Sequence, residues 1–475
     1  MKLPIGYFDT KMIGDLLQRI GDHNRIESFL TGSTLNILFS AVNFLVFGAV
    51  LLIYNWLIFS IFLVASVAYV LWVFIFLKKR KEVDYQRFQE LSENQSSLIE
   101  LIQGMQEIKL QNSETKRRRL WTNIQAKLFH ANMRSLAISQ WQDTGATAIN
   151  QLKNIFITFV AATAVIEGSM TLGMMLAVQY IVGQLNAPLQ QLIGFIRSGQ
   201  DAKISLERLG EIHNKPNEET DENLLNDVPE NADVVIENLS FRYNQLEEDV
   251  LKDINLTIPA GKVTAIVGTS GSGKTTLVKL ILGFYDPQKG KIKVGNSDLK
   301  SIRKSVWRQK CGAVMQDGYI FSDTIANNIA ESDDAVNKPQ LLKAVNTANI
   351  QEFIENMPNS YNTTIGAKGN GLSQGQRQRL LIARAVYKNP DFLFFDEATN
   401  SLDAKNERVI VENLEKFFTD KTVIVVAHRL STVKNADQIV VLEKGELIEI
   451  GTHQELTAKK GTYFSLVKDQ LELGD

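Results

Sequence analysis

Long stretches without charge dominate the first part of the chain. Residues 28–77 and 168–196 contain no Asp, Glu, Lys, Arg or His, and residues 144–166 carry one charge, at Lys153. A helix that spans a membrane needs about 20 predominantly apolar residues, and helices of a soluble core rarely run so long without a charge. The pattern predicts four membrane spans, at residues 31–54, 57–77, 146–166 and 171–196.

Basic residues indicate the orientation of these spans. The runs 78–81 (Lys-Lys-Arg-Lys) and 116–119 (Lys-Arg-Arg-Arg) both lie between the second and third spans. The positive-inside rule places that segment in the cytoplasm and the short loops near Asn55 and Gly168 outside. Lys153 then lies toward the cytoplasmic end of its span, and we expect its side chain to snorkel to the interface.

Two polar segments separate the apolar parts from the rest of the chain. Residues 82–142 are rich in helix formers, which predicts that the membrane helices continue as a cytoplasmic stalk; a solvated coiled coil is the alternative. Residues 214–233 contain seven acids and one lysine, which is typical of an exposed linker. Beyond them, short apolar runs predict buried strands at 263–267, 311–315, 392–395 and 422–427.

A glycine-rich segment follows the first of these strands and opens a predicted helix over 276–282. Gly268-Thr-Ser-Gly-Ser-Gly-Lys274-Thr275 fits the phosphate-binding loop, in which glycines let the backbone approach phosphate and N–H groups at the helix start face its charge. Lys274 is expected to reach the β- and γ-phosphates, and Thr275 to bind Mg²⁺. The predicted phosphate contacts are Gly268, Ser270, Gly271, Ser272, Gly273, Lys274, Thr275 and Thr276.

Two carboxylates end another predicted strand, Phe392-Leu-Phe-Phe-Asp396-Glu397. In a parallel sheet, the last residues of a buried strand lie at the carboxyl edge, beside the phosphate loop. Asp396 is then placed to hold Mg²⁺, and Glu397 to polarise an attacking water.

A third motif lies between these two. Leu372-Ser373-Gln374-Gly375-Gln376 resembles the signature of the ATP-binding cassette (ABC) family, usually written LSGGQ. Further residues match the family in its own order. They are Tyr243 (the aromatic that stacks on adenine), Gln316 (the Q-loop glutamine), Ser401-Leu402-Asp403 (the D-loop) and His428 (the switch histidine). Each of these could be an ordinary structural residue if seen alone, but their joint order makes the resemblance specific.

The resemblance implies an ATPase site that two subunits complete together. Glu397, His428, Gln316 and Lys274 would be the catalytic residues. Thr275, Gln316 and Asp396 would hold Mg²⁺. Tyr243, Gln376 and Asp403 would contact ATP, and Ser373 and Gly375 of a second subunit would cap its γ-phosphate.

The combined pattern predicts a multi-domain protein. An all-α transmembrane helical bundle, a partial exporter domain, is expected over residues 1–210, a linker over 211–232 and an α/β P-loop ATPase domain over 233–475. The protein would be a multi-pass protein of the cell membrane, in bacteria the inner membrane, with the ATPase domain in the cytoplasm.

The chain departs from the family pattern in its first part. Exporters of this type have six spans in each half, so the chain is expected to begin after the first two. The motif at 106–109 and Trp121 favour peptide and protein exporters that often carry an N-terminal cysteine peptidase domain. The only cysteine, Cys311, lies in an ATPase strand, so this chain provides no peptidase nucleophile.

Two substitutions in the ATPase domain also depart from the pattern. Gln374 replaces the first glycine of LSGGQ, but Ser373 and Gly375 remain, so we expect activity to survive. Ala367 stands where many exporters have a glutamate that touches the intracellular helices, and coupling is expected to use other contacts.

The resemblance implies ATP-driven export, with a peptide-like cargo favoured. The partners would be a second copy or a related half-transporter, membrane lipid and the cargo. The net charge of −2 gives no electrostatic case for nucleic acid. The alternatives are a truncated membrane ATPase without transport, an exporter of lipid or drugs, and a regulatory ATPase module, which the charge-free segments argue against.

Overall fold

The computed structural model describes residues 2–219, 224–244, 246–366, 371–398, 402–427 and 433–472. The chain forms two compact units. One is Tyr7–Pro216, and the other is Asn217–Asp475 together with Met1–Gly6.

Helices make up the unit nearer the N-terminus. They are α1 (Ile5–Thr10), α2 (Ile13–Ser28), α3 (Thr34–Tyr54), α4 (Trp56–Gln103), α5 (Met105–Leu110), α6 (Glu114–Ile166) and α7 (Leu172–His213). A π-helical segment, Phe29–Ser33, joins α2 to α3. Asn55 separates α3 from α4 because its side-chain oxygen accepts from the N–H groups of Leu57 and Ile58 and so caps α4;.

Three helical stretches of the described chain are long and apolar enough to cross a membrane. They are Ile13–Tyr54, Trp56–Gln103 and Glu114–Ile166. The fourth predicted span falls in α7, which is not among them. Gln179, Gln184, Asn186 and Pro188 interrupt its apolar stretch. The helices α4 and α6 have 48 and 53 residues, far more than the roughly 20 that cross a bilayer, in line with the predicted stalk.

Lys153 does not snorkel, contrary to the prediction. Its side chain is buried within the helical unit, with 3 % of the residue exposed. The ammonium donates to the side-chain oxygens of Asn150 at 2.6 Å and Asn186 at 2.7 Å, and lies 4.8 Å from the centre of the Phe62 ring. Two amides and an aromatic face thus replace water around this charge, which sequence position alone did not reveal.

The second unit contains two sheets. An antiparallel four-stranded sheet has the order β2-β1-β4-β5, and a six-stranded sheet has the order β10-β9-β3-β8-β7-β6. In the larger sheet all neighbours run parallel except β10, which is antiparallel to β9. The strands are β1 (Val234–Phe241), β2 (Leu251–Ile258), β3 (Val263–Gly268), β4 (Lys289–Val294), β5 (Ser297–Asp298), β6 (Cys311–Val314), β7 (Phe392–Asp396), β8 (Thr422–Val426), β9 (Gln438–Glu443) and β10 (Glu446–Gly451).

Helices pack against these sheets. Those described are α8 (Lys274–Ile281), α9 (Lys304–Lys310), α10 (Ile325–Ile329), α11 (Lys338–Thr347), α12 (Gln351–Glu355), α13 (Gln374–Tyr387), α14 (Ala404–Phe417), α15 (His453–Lys459) and α16 (Thr462–Glu472). Every residue of β7 and of β8 is buried, as expected for central parallel strands covered on both faces. Cys311 is buried in β6, where burial raises the pKa of its thiol well above the ordinary value.

Candidate ATP-binding site

The phosphate-binding loop lies between β3 and α8, as predicted. Gly273 has φ +97°, and a Cβ atom there would lie 2.6 Å from Cδ2 of Leu251. At Gly268 a Cβ atom would collide with the carbonyl oxygen of Leu442 on the neighbouring strand β9. Both positions therefore require glycine, and the loop's course depends on them. Ser270 and Gly271 are exposed in the same loop.

Lys274 folds back over this loop. Its ammonium donates to the carbonyl oxygens of Gly268 at 3.0 Å and Thr269 at 2.9 Å. Burial lowers the pKa of this ammonium, and the carboxylates of Glu397 and Asp396 oppose the shift. The three predicted charged residues are therefore close enough to influence one another. The hydrogen-bond partners of the ammonium are neutral carbonyl oxygens, which a negatively charged phosphate could replace.

Asp396 ends β7 in register with Val426 of β8, and Val426 in turn stands beside Ile266 of β3. The residue is completely buried, and among the described residues neither carboxylate oxygen has a hydrogen-bond partner. Burial raises the pKa of this carboxyl group, as does the Glu397 carboxylate, while the nearby Thr275 hydroxyl and Lys274 ammonium oppose the rise.

These features fit a bound Mg²⁺ ion. A buried carboxylate without a donor is costly unless a cation compensates it, and Mg²⁺ is commonly held by one or two carboxylates together with phosphate oxygens. Ser272 is also buried, and its hydroxyl oxygen has no hydrogen-bond partner within the part of the chain that the structure describes. Asp396 and Thr275 would supply a carboxylate and a hydroxyl oxygen to this ion, and Mg²⁺ prefers oxygen ligands.

Asp396→Asn should therefore stabilise the protein without ligand while it removes activity. The pKa of Asp396 is raised in the folded state, so protonation of its carboxyl group favours folding. This stabilisation is fully present below the unfolded-state pKa of about 3.9 and is lost as pH rises through the folded-state pKa. At neutral pH the Asp396→Asn variant has no charge at this position and therefore avoids the free-energy cost of burying one. We expect its thermal midpoint to rise by roughly 2 °C, with Mg²⁺-dependent ATP hydrolysis lost.

Thermal unfolding at pH 7 and at pH 4 measures this effect. The difference between variant and wild type should shrink at the lower pH, where more of the wild-type carboxyl is protonated. A variant that unfolds earlier than the wild type at pH 7 would contradict the assignment of a costly charge.

Tyr243 lies just beyond β1. It is 44 % exposed, its ring packs edge-on against Phe241 and Tyr285, and its hydroxyl shares a hydrogen bond of 3.1 Å with the Thr276 hydroxyl. The aromatic residue is thus attached to the first turn of α8, next to the phosphate loop. Its stacking on adenine stays a prediction.

The signature motif forms the N-terminus of α13. Ser373 caps the helix, since its hydroxyl accepts from the N–H of Gln376 at 3.2 Å while the Gln376 side chain accepts from the N–H of Ser373 at 2.9 Å. Asp403 likewise caps α14 through Asn406. Gly375 lies in the first turn of α13. Gln376 is thus held in a local capping box, which sequence analysis did not foresee.

Four further predicted residues complete the comparison with the sequence analysis. Gln316 follows β6 by two positions and is exposed. His428, Ser401 and Ala367 lie outside the described residues, so their predicted roles stay predictions.

Sequence analysis missed Gln378. Its side-chain nitrogen donates to the carbonyl oxygen of Glu397 at 2.8 Å. The residue belongs to the run Gln376-Arg377-Gln378-Arg379, but nothing in the run indicates which side chain faces the sheet.

Comparison with known proteins assigns the family. The family model described as "ABC transporter" matches residues 251–400, and the one described as "ABC transporter transmembrane region" matches residues 1–189. The chain belongs to the ABC transporter family. The predicted fold class, a transmembrane helical region followed by an α/β ATP-binding domain, is confirmed.

Curated relatives of this ABC transporter chain include proteins named for toxin translocation. The exotoxin translocation ATP-binding protein PaxB of Pasteurella aerogenes is 35% identical over 469 residues, which cover 98% of this chain and 66% of PaxB. The alpha-hemolysin translocation ATP-binding protein HlyB of Escherichia coli is 35% identical over 467 residues, with the same coverage of 98% and 66%. The chain thus spans about two thirds of the length of these relatives.

A solved structure also resembles the ABC transporter chain. It is described as a bacterial Atm1-family ABC exporter with ATP bound. Its TM-score is 0.92 at 26% identity, and the match covers 99% of this chain and 82% of that one. The match of residues 1–189 to an ABC transporter transmembrane region agrees with the predicted location in a membrane.

Proposed function

We propose that this chain is the ATP-hydrolysing subunit of a membrane exporter. The observation that carries the proposal is the phosphate-binding loop between β3 and α8. Lys274 lies against this loop, and Asp396 is level, across β8, with Ile266 of β3. The relatives with 35% identity are named for translocation of exotoxin and hemolysin, which supports export as the process. They also favour a peptide or protein as cargo over lipid or drugs.

The proposed reaction is hydrolysis of the γ-phosphate of ATP. Lys274 would leave its two carbonyl partners for the β- and γ-phosphates, and the N–H groups at the start of α8 would face the same charge. Glu397 would orient and polarise the attacking water, while Gln316 and His428 would contact the ion and the phosphate. Mg²⁺ held by Asp396 and Thr275 would neutralise charge that develops on the phosphate oxygens.

A second subunit would complete this site. Ser373, Gly375 and Gln376 form a helix N-terminus, which favours a negative charge, and Asp403 begins α14. In the proposed dimer, either of two copies or of related half-transporters, these residues would face the partner's ATP. Binding of ATP would then draw the two ATP-binding domains together, and hydrolysis would release them.

A membrane ATPase that does not move a cargo by itself is the alternative. The two functions share the ATPase chemistry and differ only in cargo movement.

Reconstitution into proteoliposomes tests the proposal. We expect Mg²⁺-dependent ATP hydrolysis by the wild type, and at least a 100-fold loss for Lys274→Ala, since phosphate loses a direct charge-assisted partner. Phosphate release and ATP binding should be measured on the same preparations. Lys262→Ala is a matched control, since this lysine pairs with Asp437 on the surface and should leave hydrolysis unchanged.

Absence of ATP hydrolysis in the wild type, or its survival in Lys274→Ala, would contradict the proposed ATPase. Hydrolysis without movement of a fluorescent peptide into the vesicles would favour the membrane ATPase that does not transport.

A further inference from the structure

Gln378 connects the signature helix to the backbone of the proposed water-polarising residue. Its Nε2 atom donates to the carbonyl oxygen of Glu397 at 2.8 Å, between residues 19 positions apart in sequence. Gln378 stands three positions after Gly375 in α13, and residues with that spacing share one face of a helix. One helix therefore carries both the signature glycine and a direct contact to Glu397.

The backbone of Glu397 is in a conformation that needs support. Its φ is +53°, in the left-handed region that residues other than glycine adopt at a cost. Such residues keep this conformation where their surroundings hold it. The N–H of Glu397 donates to the carbonyl oxygen of Val426 at 3.1 Å, and its carbonyl oxygen accepts from Gln378.

The two supports belong to different elements. Val426 ends β8, which lies between β3 and β7 in the central sheet. Gln378 belongs to α13, which begins at the capping residue Ser373. The sheet therefore fixes one side of the Glu397 peptide, while the position of a helix determines the other.

We infer that Gln378 is a positioning residue that transmits the state of the signature motif to Glu397. The inference rests on the proposed function, in which Ser373 and Gly375 face the ATP of the partner subunit. A helix is stiff over a single turn, so a displacement of the first turn of α13 also moves Gln378. The Glu397 carbonyl follows its donor, and the orientation of the carboxylate changes with the backbone.

The consequence is a link between the two ATP sites of the dimer. ATP bound by one subunit contacts the signature motif of the other and thereby sets Glu397 in that other subunit's own site. Hydrolysis at one site then depends on occupancy of the second. This gives cooperative dependence on ATP, without a requirement that Gln378 touch nucleotide.

Three substitutions of Gln378 test the link by steady-state ATP hydrolysis. Gln378→Leu removes the donor, and Gln378→Glu keeps the shape but presents oxygens that cannot donate. We expect kcat to fall about tenfold in both, the equivalent of one lost hydrogen bond to a partly buried group. The KM for ATP should change by less than about twofold, and the Hill coefficient should fall from above one to one. Gln378→Lys keeps a donor and should restore part of kcat.

Gln340→Leu is the matched control. The Gln340 side chain also donates from Nε2 to a main-chain carbonyl oxygen, that of Tyr387 at the far end of α13, at 2.7 Å. This substitution removes the same kind of bond from the same helix without a contact to Glu397. It should lower thermal stability about as much as Gln378→Leu and leave kcat and cooperativity unchanged.

Several results would overturn the inference. They are wild-type kcat in Gln378→Leu, an effect confined to KM, an equal loss of kcat in Gln340→Leu, or a wild-type Hill coefficient of one. Wild type and Lys274→Ala, assayed in parallel, report on the ATPase itself. If the wild type hydrolyses ATP and Lys274→Ala does not, the ATPase stands whatever the Gln378 variants show; an inactive wild type removes both.

Discussion

Glu397→Gln should reduce ATP turnover by about 10²–10⁴-fold, the usual contribution of a positioned general base. The amide keeps the shape of the side chain and loses the charge that polarises water. The hydrogen bonds that Glu397 forms with Val426 and Gln378 involve its main chain, so the substitution leaves them in place. Glutamine also tolerates a φ of +53° about as well as glutamate does, so the fold should be unchanged.

ATP should still bind to this variant, because the phosphate loop is intact. We expect an ATP-bound dimer to accumulate, which size-exclusion chromatography in the presence of ATP and Mg²⁺ would detect. Lys274→Ala should differ, with nucleotide binding itself weakened. Turnover near the wild-type rate in Glu397→Gln would remove the proposed role of this residue, and a loss of ATP binding would indicate a structural role instead.

Local patterns were sufficient to predict the elements around the ATP site. The glycines of the phosphate loop and the apolar strand before Asp396 each act over a few residues, so the sequence displays them directly. The register of three parallel strands brings Asp396 level with Val426 and Ile266.

Contacts between distant residues were not predictable in the same way. Gln378 contacts Glu397 across 19 positions, and Tyr243 contacts Thr276 across 33. In each case the side chain has several possible orientations, and only packing selects one. Lys153 illustrates a similar error, since a single charge in an apolar span fits both a snorkelling side chain and one held by amides of its own helix and of a neighbouring helix.

The membrane region shows a further limit of hydropathy. Absence of charge predicted four spans, yet α7 carries Gln179, Gln184, Asn186 and Pro188 within its apolar stretch and is less apolar than the other three stretches. Amides lower the hydropathy of a helix without adding charge, so a charge-free helix is not always a strongly apolar one. Of these side chains, Asn186 pairs with the buried Lys153, which is a use for an amide inside a helical bundle.

Ser373→Arg should reduce the rate of ATP hydrolysis by at least about 100-fold. ATP binding to the separate subunit should stay nearly normal. In the proposed dimer, the arginine would place a bulky cation where the partner's γ-phosphate meets the start of α13. The effect would therefore appear in trans. Hydrolysis and binding of a fluorescent ATP analogue, measured at protein concentrations below and above dimer formation, separate the two properties.

Loss of the helix cap is a competing explanation, and the chain supplies a control for it. Thr452 caps α15 with the same reciprocal arrangement, in which its hydroxyl accepts from the N–H of Glu455 and the Glu455 side chain accepts from the N–H of Thr452. Thr452→Arg should cost the same kind of stability, about 1 kcal/mol, and leave hydrolysis intact. Equal inactivation by both substitutions would mean that Ser373 acts through the helix cap.

A mixed dimer of Ser373→Arg with Glu397→Gln subunits tests more strictly whether two subunits share each site. One of its two sites would combine wild-type Glu397 with wild-type Ser373 from the other subunit, so about half of the sites should be complete if the site is shared between subunits. If each subunit instead carried a self-sufficient site, every site in that mixed dimer would be defective.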